Sequence, residues 1–517
     1  MKLRLVFSVV LVVAALLLFL RAGSVPLLDP DESRFARTSV EMLESGDLVV
    51  PRFGGEPRLV KPPLVHWIQS FFFSWFGPTE WAARLHAALA TLGSILLVAW
   101  VGRLRFGEEG GIWAAAILAT MPLVLVPGRL GTLDALLAVH VLAVIALDMA
   151  APREGDLFRS FAVGALLGLA FLIKGPVGVV LPLLVILAGR TAARRNVLPS
   201  AVGVLQAAAA WCLVVLPWGL VFLRRVGPGN AIGLLRTEAF ERYFAGTAHV
   251  EPPWYYLKIV AVAFLPWLAP LLVALVRTWQ MRRTAAARTA LYASAGLLAG
   301  LVFFSIGQTK LPNYILPLAP LAAILITWEL GREIESPDQR TLGPTLLAAT
   351  LAAAAVLLGL AAGLQLDGVP RAVALAGCAI YGAGALVAGY GAIRRRPRQV
   401  YGSAGATAAA FLLVVVVVLL PNIGQRKSAA PLIEAVPELS SGRPLVTVEI
   451  RVPSLTFYLN RAPEVLEMAG FEGRLAIDDD PLFVLADVDL PSVPEGAMAG
   501  LREIGRQGKF IVFEKKR

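Results

Sequence analysis

Charged residues and cysteines are both scarce in this chain of 517 residues. Asp, Glu, Lys and Arg make up only 16% of the sequence, whereas they supply about a quarter of an ordinary soluble domain. The two cysteines, Cys212 and Cys378, fall inside apolar runs far apart in the sequence. They argue against a disulfide framework or a zinc site and favour buried, unreactive thiols. The four histidines are too scattered to form a ligand motif.

Apolar residues take the place of the missing charge. They account for 57% of the sequence, and the mean hydropathy is +0.71. A soluble domain does not need this much apolar surface, since only about half of its residues are apolar. The composition therefore predicts an α-helical polytopic membrane protein.

The formal net charge of +11 raises the question of nucleic-acid binding. Most of the excess lies in short basic clusters between apolar runs, rather than on one face or one helix. Such clusters are typical of membrane topology, because cytoplasmic loops collect Lys and Arg. We therefore expect contacts with membrane lipids and no nucleic-acid partner.

The first apolar run follows a basic start, as in a signal peptide. The run is long, and no clear cleavage site of small residues precedes the acidic segment after it, so an uncleaved first span is favoured over a cleaved leader. A span needs about 20 apolar residues, and this criterion predicts about 13 of them. The predicted spans are 5–21, 82–102, 112–127, 132–150, 160–173, 176–190, 199–223, 257–276, 289–306, 314–330, 343–364, 372–392 and 402–420.

Basic residues collect in alternate connections between these spans. Counting from the N-terminus, clusters such as Arg103 with Arg105 and Arg394 to Arg396 fall on one side, whereas the other side carries mostly single Lys or Arg residues. The alternation predicts a cytoplasmic N-terminus. An odd number of spans then places the C-terminal tail on the outer, periplasmic side.

The composition changes at about residue 424. The stretches RPLVTVEI, PLFVLADVDL and KFIVFEKK have the β-branched and aromatic content of strands, and PSLTFYL and EGAMAGLREIGRQG are predicted helices. We therefore predict a transmembrane domain over 1–423, with long outer loops at 22–81 and 224–256, and a small soluble α/β domain over 424–517. In the first loop, SRFARTSVEMLESG and VHWIQSFFFSWFG have the pattern of helices lying in the membrane interface.

The first outer loop begins with the charge-rich motif DPDESR. Its closely spaced carboxylates, Asp29, Asp31 and Glu32, are suited to a general base, to a site for a hard cation, or to both. The alternative is a set of solvated charges in which Asp31 only caps the following helix.

Cations are predicted to face the same outer surface. Arg34, Lys61 and Arg242, with Lys174 and Lys310, are suited to a phosphate carried on a lipid. A transporter of an anion would need similar groups. Lys174 has the further alternative of extending its ammonium group to the membrane surface, without binding anything.

Other polar residues occur at the outer ends of predicted spans. Asp134 in GTLDALL is costly within a membrane unless it is paired, although it also has the position of a helix cap near Thr132. His249 follows RTEAFERYF in the second long loop, where Glu238 and Arg242 have the spacing of a simple helix pair. Tyr314 lies in GQTKLPNYILPLAP, at the turn that contains Lys310.

Together these segments resemble the integral-membrane glycosyltransferases of the GT-C fold, in the group that contains the lipid A aminoarabinose transferases and the protein O-mannosyltransferases. The likeness covers roughly residues 1 to 330 and is strongest to the aminoarabinose branch. The motifs that carry it are, in order, DPDESRFA, GDLVVPRFGGEPRLVKPPLVHW, GTLDALL, LIKGPVG, RTEAFERYF, EPPWYY and GQTKLPNYILPLAP.

The resemblance implies a bacterial inner-membrane enzyme whose sugar donor is carried on a polyprenyl phosphate such as undecaprenyl phosphate. The acceptor would be lipid A, another glycan, a lipid or a protein, and transfer would invert the anomeric carbon. The catalytic carboxylates would be Asp31 as base, Glu32 beside it, and Asp134 as a partner that orients the acceptor. The substrate-binding residues would be Arg34, Lys61 and Arg242 on the lipid phosphate, together with Lys174, His249, Lys310 and Tyr314.

The chain departs from the aminoarabinose transferases at two positions that resemble their metal ligands. It has Val60 where they have an acidic residue before the Lys of the KPP motif, and Ala239 where they have a His after a Glu. We therefore expect no metal there, and a divalent cation would have to bind at Asp29, Asp31 or Glu32. The rival function is a transporter or flippase of a lipid-linked sugar, although no duplicated halves typical of transporters are found.

Overall fold

The computed structural model describes residues 2–150, 157–196, 199–236, 243, 249–336, 342–365, 370–477, 479–486, 491, 493 and 498–516. The chain divides into two compact units. The helical unit consists of Met1–Leu20, Leu59–Val65 and His86–Leu419, and the α/β unit consists of Arg21–Arg58, His66–Leu85 and Leu420–Arg517. The change of unit at Leu419 lies close to the predicted boundary at 423, but most of the predicted loop 22–81 belongs to the α/β unit.

Apolar helices dominate the helical unit, as the composition predicts. The protein is a multi-pass membrane protein. Its helices are α1 Lys2–Phe19, α4 Glu80–Ala119, α5 Pro122–Gly128, α6 Asp134–Ala150, α7 Leu157–Lys174, α8 Val177–Ala192, α9 Ala201–Val226, α10 Pro228–Leu235, α11 Tyr255–Ala263, α12 Leu268–Gln280, α13 Arg288–Ile306, α14 Ala319–Glu335, α15 Leu342–Gly363, α16 Arg371–Ile393 and α17 Pro397–Val414. A 3₁₀ segment, Pro312–Leu318, precedes α14.

A count of helices by length and apolarity gives fewer spans than predicted. Among the described residues, 9 helices are long and apolar enough to cross a membrane, or up to 10 if the bent pair α11 and α12 counts as one span. The predicted spans 132–150 and 176–190 correspond to α6 with 17 residues and α8 with 16, which are shorter than the about 20 residues of a full crossing. The count also takes the 40-residue α4 as one helix, whereas the prediction places two spans there. Each predicted span overlaps a helix of the structure.

One 40-residue helical segment, α4, is a hairpin of two helices. Gly107 interrupts it with φ 77°, a backbone conformation that favours glycine. The two arms pack closely, because a Cβ added to Gly102 would lie 2.8 Å from the carbonyl oxygen of Gly110. The predicted spans 82–102 and 112–127 therefore fall on opposite arms, and the second runs on into α5.

Arg129 joins the start of the chain to the helices that follow. Its guanidinium donates hydrogen bonds of 2.6, 2.8 and 2.7 Å to the carbonyl oxygens of Leu17, Leu18 and Leu20. The last carbonyls of a helix have no partner within the helix, so a buried guanidinium satisfies the end of α1.

The α/β unit contains a five-stranded sheet. Its helices are α2 Asp31–Ser45, α3 Leu64–Phe76, which begins in the helical unit, α18 Leu420–Lys427, α19 Ala430–Ala435, α20 Pro453–Tyr458 and α21 Phe471–Leu475. A small hairpin is formed by β1 Arg52–Phe53 and β2 Glu56–Pro57. The large sheet is formed by β3 Leu445–Val448, β4 Glu464–Leu466, β5 Leu482–Ala486, β6 Leu501–Gln507 and β7 Phe510–Lys515.

The strand order in the large sheet is β4-β3-β5-β7-β6. The first three strands are parallel, and β7 and β6 are antiparallel to their neighbours. Every residue of β3 and β5 is buried, which explains why β5 is a continuous apolar run and β3 is apolar except for Thr447. The predicted strands at these positions and at β7 are confirmed, as is the helix PSLTFYL, which is α20.

The prediction of a helix over EGAMAGLREIGRQG is wrong in its second half. Residues 501–507 form β6, an edge strand that pairs with β7. The i, i+3 spacing of Leu501 and Ile504 favours a helix, but pairing with β7 buries Leu501 and overrides that preference.

Candidate active site

Asp29 is held inside the α/β unit by donors that come from both ends of the chain. Its Oδ1 accepts hydrogen bonds from the Ser454 backbone N–H at 2.8 Å and from the Ser33 hydroxyl at 2.5 Å. Its Oδ2 accepts a hydrogen bond from the Ser454 hydroxyl. Burial raises the pKa of the Asp29 carboxyl, although these hydrogen bonds act in the opposite direction.

Glu32 is also occupied. The guanidinium of Arg84 donates to both of its carboxylate oxygens, at 2.7 Å each, and both side chains are buried. Arg84 also donates to the carbonyl oxygens of Ala22, Val25 and Pro26. This ion pair fixes the loop between α1 and α2, and the catalytic role of Glu32 stays a prediction.

Asp31 differs from its two neighbours. Its side chain is 56% exposed, and its nearest charged group is Arg34, with 3.6 Å between Nη1 and Oδ1. It is the first residue of α2, and no side chain caps this helix. The alternative of Asp31 as a helix cap is therefore wrong, and its carboxylate is accessible beside one guanidinium.

A fourth acidic residue of this segment, Glu41, organises the hairpin β1-β2. Its carboxylate accepts hydrogen bonds from the backbone N–H groups of Gly54 and Gly55 at 2.8 and 3.1 Å, and Arg37 donates to it at 2.8 Å. All three donors are fixed by the fold. Asp31 is thus the carboxylate among Asp29, Asp31, Glu32 and Glu41 that no buried donor holds.

In the helical unit, Asp134 is the centre of a polar cluster. Lys174 at the end of α7 places its ammonium nitrogen 2.8 Å from Asp134 Oδ1. The side-chain amide of Asn313 donates to Asp134 Oδ2, and the Thr132 hydroxyl lies 3.4 Å from the same atom. Asp134 is the first residue of α6, but its carboxylate is used in this cluster between three chain segments.

Lys174 and Tyr314 are brought together as predicted site residues. The Lys174 ammonium lies 4.2 Å from the centre of the Tyr314 ring, a distance typical of a cation–π interaction. The Lys174 side chain is only 12% exposed, so the alternative of an ammonium group extended to the membrane surface is wrong. Asn313, which contacts Asp134 directly, is not among the predicted site residues, although it immediately precedes Tyr314.

Lys310 is held by backbone carbonyl groups, and its role in substrate binding stays a prediction. It is buried, and its ammonium donates to the carbonyl oxygens of Glu251 and Gly307 at 2.7 and 2.5 Å. Its backbone N–H donates to the His249 carbonyl at 3.0 Å. Lys310 therefore joins the segment before α11 to the turn after α13, while His249 stays exposed.

Lys61 and Arg242 are the remaining predicted phosphate ligands. Lys61 is half-buried in the Leu59–Val65 stretch of the helical unit, just before α3. Arg242 lies outside the described residues, and so does Glu238.

The three carboxylates predicted for a divalent cation, Asp29, Asp31 and Glu32, have different partners. Asp29 and Glu32 already accept hydrogen bonds from Ser33, Ser454 and Arg84, and a guanidinium on Glu32 disfavours a second cation there. Within the described parts of the chain, no group of three or more His, Cys, Asp or Glu side chains is arranged to hold a metal ion. A metal at these carboxylates stays a prediction.

Comparison with known proteins bears on the function of these residues. A family model described as dolichyl-phosphate-mannose-protein mannosyltransferase matches residues 60–220. The curated relatives include the undecaprenyl phosphate-alpha-4-amino-4-deoxy-L-arabinose arabinosyl transferase of Aeromonas salmonicida, which is 35% identical over 311 residues, 58% of this chain and 55% of its own length. The corresponding enzyme of Enterobacter sp. is 31% identical over 327 residues, 62% of this chain and 58% of its own length. The chain thus spans a little over half the length of the curated relatives it matches.

A solved structure is similar along the whole chain. It is the crystal structure of ArnT from Cupriavidus metallidurans bound to undecaprenyl phosphate, with a TM-score of 0.79, 25% identity, and coverage of 98% of this chain and 97% of that one. The chain thus shares the fold of this transferase over nearly its whole length. The GT-C fold predicted from the motifs is therefore confirmed. The likeness to ArnT covers both the apolar helices and the small sheet domain that follows them.

Proposed function

We propose that the chain is a glycosyltransferase that moves a sugar from an undecaprenyl phosphate carrier to an acceptor on the outer face of a bacterial inner membrane. The support is its GT-C fold, its identity of 35% to an aminoarabinose transferase, and its likeness to ArnT bound to undecaprenyl phosphate. The acceptor class is an amphipathic lipid such as lipid A, another glycan or a protein.

The observation that carries the mechanism is the accessibility of Asp31. The other carboxylates around it are held by buried donors, whereas Asp31 is 56% exposed. A general base must reach the proton that it removes. Asp31 therefore takes the proton of the acceptor hydroxyl or amine as that atom attacks the anomeric carbon of the donor.

The bond from the anomeric carbon to the phosphate oxygen breaks in the same step, and the lipid phosphate leaves with the bonding electrons. Attack opposite the leaving group inverts the anomeric carbon. Arg34, Lys61 and Arg242 hold the phosphate and stabilise its growing negative charge, which cations do strongly where water is excluded. Tyr314, Lys174 and His249 complete substrate binding, and Asp134 orients the acceptor.

The same proposal places the N-terminus in the cytoplasm and the sheet of the α/β unit in the periplasm, as the basic clusters predict. Single cysteines test this in a variant without Cys212 and Cys378. Ser441→Cys is expected to react with a membrane-impermeant maleimide in spheroplasts, and Arg396→Cys only after lysis. The opposite labelling pattern would reverse the topology.

The test of the reaction uses the full chain in proteoliposomes with lipid A or a membrane protein fraction as acceptor. The donors are undecaprenyl phosphate carrying radiolabelled 4-amino-4-deoxy-L-arabinose or mannose. Asp31→Asn is expected to abolish transfer while leaving the melting temperature and the binding of undecaprenyl phosphate unchanged. Glu56→Gln is the matched control, since Glu56 is an exposed acidic residue of the same unit. Wild-type activity in Asp31→Asn would remove this mechanism.

The location of the label separates the transferase from a transporter or flippase. A transferase leaves the radiolabelled sugar covalently attached to the acceptor, where mass spectrometry detects the added residue. A flippase leaves it on the undecaprenyl phosphate and only moves it across the vesicle membrane. Movement without attachment, for both donors, would favour the flippase.

A further inference from the structure

Ser454 forms hydrogen bonds with Asp29, which lies two residues before the start of α2. Its hydroxyl and its backbone N–H donate to the two different oxygens of the Asp29 carboxylate. The backbone N–H of Asp29 in turn donates to the carbonyl oxygen of Lys427 at 2.9 Å. Asp29 is therefore fixed through both its side chain and its backbone by the last quarter of the chain.

The position of Asp29 controls the first turn of α2. Asp29 lies two residues before Asp31, and its carboxylate also accepts the Ser33 hydroxyl within that turn. The Ser33 backbone N–H donates to the Leu28 carbonyl at 3.3 Å. Because Leu28, Asp29 and Ser33 are tied together, a shift of Asp29 would move Asp31 and Arg34 with it.

A second contact holds the same region from the same short helix, α20. The Tyr458 hydroxyl accepts the backbone N–H of Leu27 at 2.9 Å and donates to Glu80 Oε1 at 2.9 Å. Just beyond α20, the side-chain oxygen of Asn460 accepts a hydrogen bond from Arg37. These contacts fix the residues on each side of Asp31, while Asp31 itself stays exposed.

We propose that Ser454 is a positioning residue for Asp31, and that the sheet domain acts in the reaction through this serine and Asp29. The inference rests on the proposed function, because it assigns Ser454 a task only if Asp31 is the base. A displacement of about 1 Å at a reacting group lowers a rate by about 100-fold. The contact with Ser454 is therefore expected to affect turnover more than binding.

The test compares Ser454→Ala with Ser454→Thr in the full chain. Ser454→Ala removes the hydroxyl but keeps the backbone N–H, whereas Ser454→Thr keeps both donors. With the donors and acceptors described above, kcat is expected to fall about tenfold or more in Ser454→Ala, within the range set by such displacements. The dissociation constant for undecaprenyl phosphate is expected to stay within about twofold, and Ser454→Thr to recover most of the rate. Ser441→Ala is the control, because the exposed Ser441 hydroxyl only donates to the Glu438 carbonyl of its own turn.

Hydrogen exchange of the backbone N–H groups gives a readout that does not need activity. In Ser454→Ala the amides of residues 28–35 are expected to exchange about tenfold faster than in the wild type, since a local hydrogen bond is worth about 1 kcal/mol or more. The amides of α6 should keep their wild-type exchange rates. Unchanged exchange at residues 28–35 would overturn the positioning role.

The kinetic outcomes separate this proposal from the proposed function. Wild-type kcat in Ser454→Ala, together with an inactive Asp31→Asn, would overturn the role of Ser454 and leave the transferase intact. The proposal would also be overturned if Ser454→Ala lowered kcat, undecaprenyl phosphate binding and the melting temperature together and Ser454→Thr recovered none of them. The serine would then be merely structural. Absence of transfer by the wild-type chain would remove both, whatever the exchange result.

Discussion

The ammonium nitrogen of Lys174 lies 2.8 Å from the carboxylate of Asp134, and both side chains are nearly buried in the helical unit. A charge at this depth is tolerated because its partner lies in hydrogen-bonding contact. Lys174 also faces the Tyr314 ring, so a single cation joins the end of α7 to the start of α6 and to the 3₁₀ segment before α14.

Replacement of Lys174 by Met is expected to leave the Asp134 carboxylate buried without its cation. Loss of one partner of a buried ion pair costs about 3 to 5 kcal/mol. The free energy of unfolding of the full chain in mixed micelles is the measurement. The double variant Lys174→Met with Asp134→Asn should recover part of the loss, since the uncompensated charge is then gone. Wild-type stability in Lys174→Met alone would contradict an ion pair that supports the fold.

Close packing between α7 and α9 makes a second prediction. A Cβ added to Gly164 would lie 2.1 Å from the carbonyl oxygen of Ala207, whereas one added to Gly219 would meet nothing within 4 Å. Gly164→Ala is therefore expected to lower the free energy of unfolding by about 1 to 3 kcal/mol, as overpacking does. Gly219→Ala is the matched control in α9 and should be neutral or slightly stabilising. Equal melting temperatures for the two variants would show that the helices can separate at no cost.

Glu514 in β7 predicts how the α/β unit responds to acid. The Arg502 and Arg443 guanidiniums donate to it and hold the pKa of the Glu514 carboxyl below its usual range. A lowered pKa in the folded state gives stability that is present above the ordinary value of about 4.5 and is lost as the pH falls through the folded value. The melting temperature of the wild type should therefore fall on acidification below that value.

Glu514→Gln isolates this contribution. The variant should be less stable than the wild type near pH 7, because the carboxylate that binds the two arginines is gone. The difference between the two melting temperatures should shrink as the pH falls through the lowered pKa of Glu514, because the wild-type carboxyl then becomes protonated too. A difference that stays constant over this range would assign the effect of the substitution to packing rather than to charge.

Long apolar runs and fully buried strands are the parts of the fold that the sequence predicts well. Strand β5 is predicted by its continuous apolar residues, all of which are buried. Helix α9 is predicted by an apolar run of which only 11% is buried, as suits a helix that faces lipid. The edge strand β6 is not predicted, because its charged sequence carries no strand signal and its conformation depends on pairing with β7.

The candidate site is also predicted only in part. The motif DPDESR predicts where the carboxylates lie, but not which of them stays accessible. That depends on Arg84, 52 residues from Glu32, and on Ser454, 425 residues from Asp29. No local pattern connects such pairs. Asn313 lies at the predicted turn with Lys310 and Tyr314, but its contact with Asp134, 179 residues away, has no local signal.

The α/β unit is assembled from the first and last parts of the chain, with residues 86–419 made between them. At about 5 to 20 residues per second, a ribosome needs on the order of tens of seconds to translate that interval. Throughout this time the DPDESR segment has already left the ribosome, while Ser454 and Tyr458 do not yet exist. A truncated messenger RNA that ends before codon 454 therefore yields a protein that can insert its membrane helices. This protein lacks the hydrogen bonds of Ser454 and Tyr458 to the residues before α2.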